Sequence, residues 1–218
     1  DVILALDTSY SMNKDDYKPT RFEAAKNALC AFLAQKIDTR DRVGIITFSH
    51  GYTVHMMPAV VDKNAISTVS AELKSLKPGG RTALSNAIQG AIEVFGSQGM
   101  PEIARTLILL TDGCDNIGDV PREAALKAKE AGVQIYPVLI GRGTQYDENT
   151  MREIADITGG AFHPTTNENE LVALCVELGG ERAKPACIED MIIPEVKEEK
   201  KEDGKIVKIL KNLKKKAW

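Results

Sequence analysis

Val2-Ile3-Leu4-Ala5-Leu6-Asp7-Thr8-Ser9-Tyr10-Ser11 is the stretch that decides the fold. Five apolar residues in succession read as a short, fully buried strand. The run closes on one carboxylate and two hydroxyls at alternate positions, D-x-S-x-S. In an α/β sheet, ligands bind beyond the carboxyl ends of the strands. Three oxygen side chains within five residues at such an edge could hold a hard cation such as Mg²⁺. Serines and aspartates also crowd ordinary strand-to-helix turns, where they cap helices, so the run alone leaves both readings open.

Two further stretches bear on the choice. Gly79-Gly80-Arg81-Thr82-Ala83-Leu84 sets a threonine after a Gly-Gly turn, at the mouth of a helix expected over Thr82 to Phe95. Ile103 to Thr111 reads as a second apolar strand, and it ends in Thr111-Asp112-Gly113. Two strand ends and one helix start thus each present oxygen. The set Asp7, Ser9, Ser11, Thr82 and Asp112 resembles the metal-ion-dependent adhesion site of von Willebrand factor A domains, which are similar to integrin I domains. The likeness covers residues 1–180, and order and spacing both agree.

The alternation of elements supports a corresponding architecture. Val43 to Phe48 reads as a buried strand, and Tyr52 to Met56 as a short antiparallel edge strand behind a hairpin at His50-Gly51. Val133 to Ile140 is a further main strand, and Ala161-Phe162-His163 fits a final edge strand. Between them lie helical patterns. One opens at the capping box Thr20-Arg21-Phe22-Glu23 and runs to about Ile37. Others cover Lys63 to Leu76, Asp119-Val120-Pro121 to Ala131, Asp147 to Ile157 and Leu171 to Leu178. Alternating strands and helices predict a three-layer, doubly wound α/β fold. Its sheet is expected to have six strands, mostly parallel, with one short antiparallel edge strand.

Composition bounds the function. The chain has 218 residues, 43% of them hydrophobic, enough for one large domain and an extension. No apolar stretch approaches the roughly 20 residues of a membrane span, so membrane insertion is not expected. No signal peptide is visible, and the start at Asp1, inside the first strand and without Met, is expected of a sequence trimmed from a longer one. The net charge of −3 is uneven. Residues 205–218 carry six lysines and no acid, which leaves −9 on the remainder. An acidic body argues against nucleic acid binding by that body. Residues 181–218 read as a charged linker and a basic amphipathic segment, separable from a domain over 1–180.

The four cysteines, Cys30, Cys114, Cys175 and Cys187, lack zinc-site spacing. Cys30 is expected in the core, Cys175 and Cys187 could pair, and Cys114 lacks an identifiable activating partner. The unpatterned cysteines favour a cytoplasmic setting. His50, His55 and His163 are scattered and read as surface or satisfied side chains, which leaves Ser9 and Ser11 without a triad base. No lysine-bearing phosphate loop follows any strand. Asp15, Asp16 and Asp115 read as solvated loop acids that raise the local cation concentration.

A small divalent ion wants near-octahedral oxygen and keeps some waters. Ser9, Ser11 and Thr82 can ligate as neutral hydroxyls, while Asp7 and Asp112 act through waters or by orienting the serines. Little direct negative charge then reaches the ion, so it stays electrophilic. The family resemblance implies its use: Mg²⁺, or Mn²⁺ or Ca²⁺, binds a Glu or Asp of a protein partner, without catalysis. Two alternatives follow the same residues. One is a subunit of an AAA+ ATPase or metal-chelatase assembly, docked to the ATPase through this site. The other is a metal-dependent hydrolase, which lacks a visible general base.

Overall fold

A computed structural model of the chain describes residues 1–36, 39–97, 102–113, 120–141 and 147–179. The linker and basic segment, Cys114, Asp115, Asp119 and Cys187 lie outside these residues. The strands are β1 (Val2–Asp7), β2 (Arg42–Phe48), β3 (Tyr52–Val60), β4 (Arg105–Thr111), β5 (Val133–Ile140) and β6 (His163–Thr165). The helices are α1 (Arg21–Gln35), α2 (Lys63–Ser75), α3 (Leu84–Ser97), α4 (Pro121–Glu130), α5 (Glu148–Thr158) and α6 (Glu168–Gly179), and a 3-10 turn spans Tyr10–Asn13.

The six strands form one sheet in the order β3-β2-β1-β4-β5-β6. Only the β2–β3 pair is antiparallel. Alternate side chains of each strand serve opposite faces. Ile3, Ala5, Leu107 and Leu109 pack beneath α3, α4 and α5. Leu4 and Leu6, equally buried, have the opposite parity and serve the face where α1 packs against β1, α2 and α6. The result is the expected three-layer architecture.

Element ends follow local chemistry. The Thr20 hydroxyl accepts from the Glu23 amide at 3.2 Å, one half of the expected capping box. The Glu23 carboxylate turns to Lys26, 2.7 Å away. Asp62 caps α2 by accepting from the Ala65 amide at 2.7 Å, a cap the sequence reading passed over. Proline occupies the first turn of α4, as expected. The left-handed Gly159, at φ 74°, ends α5.

Three strands differ from expectation by two residues or more. β3 runs four residues beyond Met56, and its register to β2 shifts on either side of Ile45. The shift is made opposite Gly44, where an added Cβ would lie 3.1 Å from the Pro58 ring. Proline is tolerated there because β3 is an edge strand. β4 begins at Arg105, so Ile103 lies outside the sheet and is 37% exposed. β6 is displaced two residues to His163–Thr165, where it pairs with the end of β5. Its ladder reaches only back to Val138, so Pro137 of β5 sits where that strand is still an edge.

Cys30 is only half-buried, and its sulfur lies 3.5 Å from the Ser70 hydroxyl. α1 therefore presents it at the boundary with α2 rather than in the core. Cys175 is buried, and burial pushes its thiol up to about 12.

Candidate metal centre

Strands β1 and β4 are parallel neighbours, and Leu6 is in register with Leu110. The chain leaves β1 toward α1 and leaves β4 toward α4, on opposite faces of the sheet. The crevice between the two strand ends is thus the topological switch point of the fold. Asp7 is the last residue of β1. Asp112 follows the last residue of β4, and both aspartates have no exposed surface.

Asp7 is held by short bonds on both oxygens. Its Oδ1 accepts from the Ser9 amide at 2.7 Å. Its Oδ2 accepts from the Thr111 hydroxyl at 2.7 Å. Thr111 in turn accepts from the Gly113 amide at 3.1 Å. The aspartate therefore fixes both loops that leave the sheet here. Burial and the nearby charge of Asp112 raise its carboxyl to about 7, although the bonds from Ser9 and Thr111 pull the other way.

The 3-10 turn Tyr10–Asn13 brings the two serines of D-x-S-x-S onto one side, with their hydroxyl oxygens 3.0 Å apart. Tyr10 projects outward and is 74% exposed. The turn is tied to the Gly-Gly loop through main chain. The Tyr10 amide donates to the Gly80 carbonyl at 3.0 Å, and the Gly79 amide donates to the Thr8 carbonyl at 2.8 Å. That loop leads into Thr82, which is fully buried just ahead of α3. The helix was expected to start at Thr82 and starts two residues later. Ala83 is pinned instead by its amide, which donates to the Ser49 carbonyl at 2.8 Å.

One participant was not anticipated. Arg21, at the first position of α1, is 2% exposed. Its Nη1 donates to Asp112 Oδ2 at 2.8 Å. Its Nε and Nη2 donate to the two oxygens of Asp16 at 2.7 and 2.6 Å. Asp16 is thus no solvated loop acid, whereas Asp15 is exposed and lies 3.7 Å from Lys18. A cation at a helix N-terminus opposes the helix dipole. That misfit is the sequence signal that could have flagged Arg21 as serving an acidic partner.

The histidines stand apart from this cluster. His55 bridges the Thr47 hydroxyl at 2.9 Å and Glu72 at 3.1 Å. His50 lies 3.3 Å from the Ser49 hydroxyl. His163 stacks on Tyr136, and its buried Nε2 lacks a hydrogen-bond partner, against the expectation of a satisfied ring. Burial lowers its pKa.

The donor chemistry suits a hard divalent cation. Neutral hydroxyls converge over a buried carboxylate, and a second buried carboxylate lies close by. Burying that much negative charge is costly unless it is paired. Among the described residues no three His, Cys, Asp or Glu side chains group to hold a metal. A cation here would therefore depend on serine and threonine oxygens.

The fold and this strand-end arrangement define a class, and the chain belongs to the von Willebrand factor type A domain family, whose model matches residues 2–114. Among curated proteins it is similar to a UPF0353 protein of Mycobacterium leprae (strain TN). Identity is 29% over 202 residues, covering 81% of this chain and 58% of that protein. The chain thus spans under two thirds of the length of the relatives it matches. Among solved structures it resembles an aerotolerance-related membrane protein from Bacteroides fragilis NCTC 9343. Identity is 25% and the TM-score 0.66, covering 81% of this chain and 96% of that one. It shares its fold with proximal thread matrix protein 1 of the mussel byssus, described with a zinc-occupied MIDAS motif. There identity is 22% and the TM-score 0.62, over 82% of this chain and 46% of that one. No helix among the described residues is long and apolar enough to cross a membrane.

Proposed function

We propose that this domain binds a partner protein through a divalent cation held by Asp7, Ser9, Ser11, Thr82 and Asp112. The observation that carries the reading is the pair of serine hydroxyls, 3.0 Å apart, above a fully buried Asp7. Ser9, Ser11 and Thr82 supply neutral oxygens, while Asp7 and Asp112 orient them and balance charge from behind. Arg21 supports this division of labour, because a carboxylate already engaged by a guanidinium is a weaker ligand for a metal. When bound, the cation supplies a Lewis-acidic site for a carboxylate of the partner. Mg²⁺ is the first choice among Mg²⁺, Mn²⁺ and Ca²⁺, and the zinc described for the mussel protein is in keeping with a divalent ion in this fold. We assign the domain no catalytic step. The docking surface of an ATPase assembly is a special case of the same reading. The similarity to a protein described as a membrane protein favours a membrane-associated setting over the cytoplasmic one.

Calorimetric titration of chelator-stripped protein with Mg²⁺ and Mn²⁺ is expected to show one site. Ser9→Ala and Asp7→Ala are expected to weaken it by about tenfold or more. Binding equal to the parent's in both variants would refute the assignment. Partner capture is expected to need the metal as well. A pull-down performed in Mg²⁺ should lose its specific partner on adding EDTA, and a glutamate or aspartate on that partner should be required. Retention of the partner in EDTA would place the contact elsewhere.

A further inference from the structure

We propose that Asp16, Arg21 and Asp112 form a charge relay through which the loop Lys14–Thr20 sets how tightly the site holds a divalent cation. This rests on the metal-binding reading and adds a positioning residue, Arg21, together with a handle at the surface, Asp16.

The geometry is specific. Arg21 is enclosed, with 2% of its side chain exposed, and it joins Asp112, which has none, to Asp16, which keeps 26%. The guanidinium offers one edge to Asp16 through two bonds and a further N–H to Asp112. Such bidentate pairing fixes the plane of the guanidinium. The loop that carries Asp16 is itself anchored. The Arg21 amide donates to the Lys14 carbonyl at 2.9 Å, closing the loop at its base. Tyr17 is buried, and its hydroxyl lies 2.9 Å from that of Thr165, which donates to the Leu139 carbonyl. Asp16 therefore meets Arg21 from a defined position.

Charge sharing gives the relay its sign. A guanidinium bonded to Asp112 draws off negative charge that would otherwise attract a cation, and interactions in a dry interior are strong. Asp16 competes for the same guanidinium. Neutralising Asp16 removes one competitor for the guanidinium, so Arg21 acts more strongly on Asp112 and cation affinity falls. Neutralising Arg21 removes a positive charge bonded to Asp112, so more of that carboxylate's charge attracts the cation and affinity rises. An ion pair that only braced the fold would lower affinity in both cases. The consequence for regulation follows by linkage. A basic group that draws Asp16 away from Arg21 loosens the cation, and cation binding loosens that contact by the same factor.

The test is calorimetric titration with Mg²⁺ of the parent chain, Asp16→Asn, Asp15→Asn, Arg21→Met and the Asp16→Asn/Arg21→Met double variant, each checked for folding by circular dichroism. Asp15→Asn makes the same change of formal charge one residue away, on a side chain that is 84% exposed. Asp16→Asn is expected to weaken Mg²⁺ binding about fivefold or more, and Asp15→Asn to leave it within about twofold. Arg21→Met is expected to tighten binding about fivefold or more. Asp16→Asn should add nothing in the Arg21→Met background, the signature of coupling through that side chain. Should Arg21→Met fail to fold, the contrast between Asp16→Asn and Asp15→Asn decides the matter. Equal effects of those two variants, or weaker binding in Arg21→Met, would overturn the relay while leaving the metal site standing. A parent that binds no Mg²⁺ would overturn both.

Discussion

Asp7→Asn is expected to stabilise the metal-stripped domain at pH 8 and, at the same time, to cut its stabilisation by Mg²⁺ by about half or more. The folded state raises the Asp7 carboxyl from 3.8 to about 7. Between about pH 4 and pH 7 the folded protein therefore holds a proton that the unfolded chain has released. Stability falls as pH rises through this window, and the loss is complete above pH 7. At about 1.4 kcal/mol per pH unit, it reaches roughly 4 kcal/mol at most. Asparagine removes the titration and still offers an oxygen to the Ser9 amide, while its own amide can donate to Thr111. Other groups shift in the opposite sense, His163 among them, so the difference between parent and variant isolates Asp7. Mg²⁺ favours the ionised carboxylate. At about 100 times its dissociation constant it should add about 2.7 kcal/mol to the parent, or about 5–10 °C in Tm for a domain of this size. Thermal unfolding at pH 5 and pH 8, in EDTA and in Mg²⁺, measures all four states. Identical pH dependence of parent and variant in EDTA would show that Asp7 does not carry the effect.

Gly160→Ala should be among the most damaging single-methyl additions in the domain. A Cβ at Gly160 would stand 1.8 Å from the Ile135 carbonyl oxygen and 2.7 Å from its carbon. That neighbour is the backbone of β5, in the body of the sheet, and cannot rotate away. The chain leaving α5 at Gly159 must pass here to place β6. Relief requires α5 or β5 to move, with an expected cost above about 3 kcal/mol. Gly132→Ala is the matched comparison, because φ there is 69° and nothing lies within 4 Å. It carries only the left-handed backbone penalty of about 1–2 kcal/mol. Urea unfolding of both variants separates steric from conformational cost, and equal losses would contradict the close approach.

The fold was legible because its buried strands are nearly pure apolar runs and its helices carry punctuation that only one structure satisfies. Thr20 at a cap and Pro121 in a first turn were each readable from one or two residues. The five oxygen-bearing positions were legible for the same reason: each lies at a strand or helix terminus that hydropathy marks. What escaped was set by neighbours distant in sequence. The length of β3 depends on Gly44 making room for Pro58, a pairing across two strands. The register of β6 depends on where β5 ends. Arg21 stands out in sequence only as part of the capping-box stretch, because Asp112, the partner that draws it inside, is 91 residues away. Thr111 read as one more strand residue, and only the fold sets its hydroxyl against Asp7.

Both outer rims of the sheet carry a proline: Pro58 in β3 and Pro164 in β6. Each proline lacks an amide hydrogen, and proline on an outer strand is one of the devices that blunt a sheet edge. One rim is further disturbed by its shifted register, and the other is only three residues long. Lateral growth from copy to copy, the first step toward fibrils, is thus discouraged at both sides. The rims that resist such growth are the outermost strands, whereas Asp7 and Asp112 lie at the ends of the two central ones.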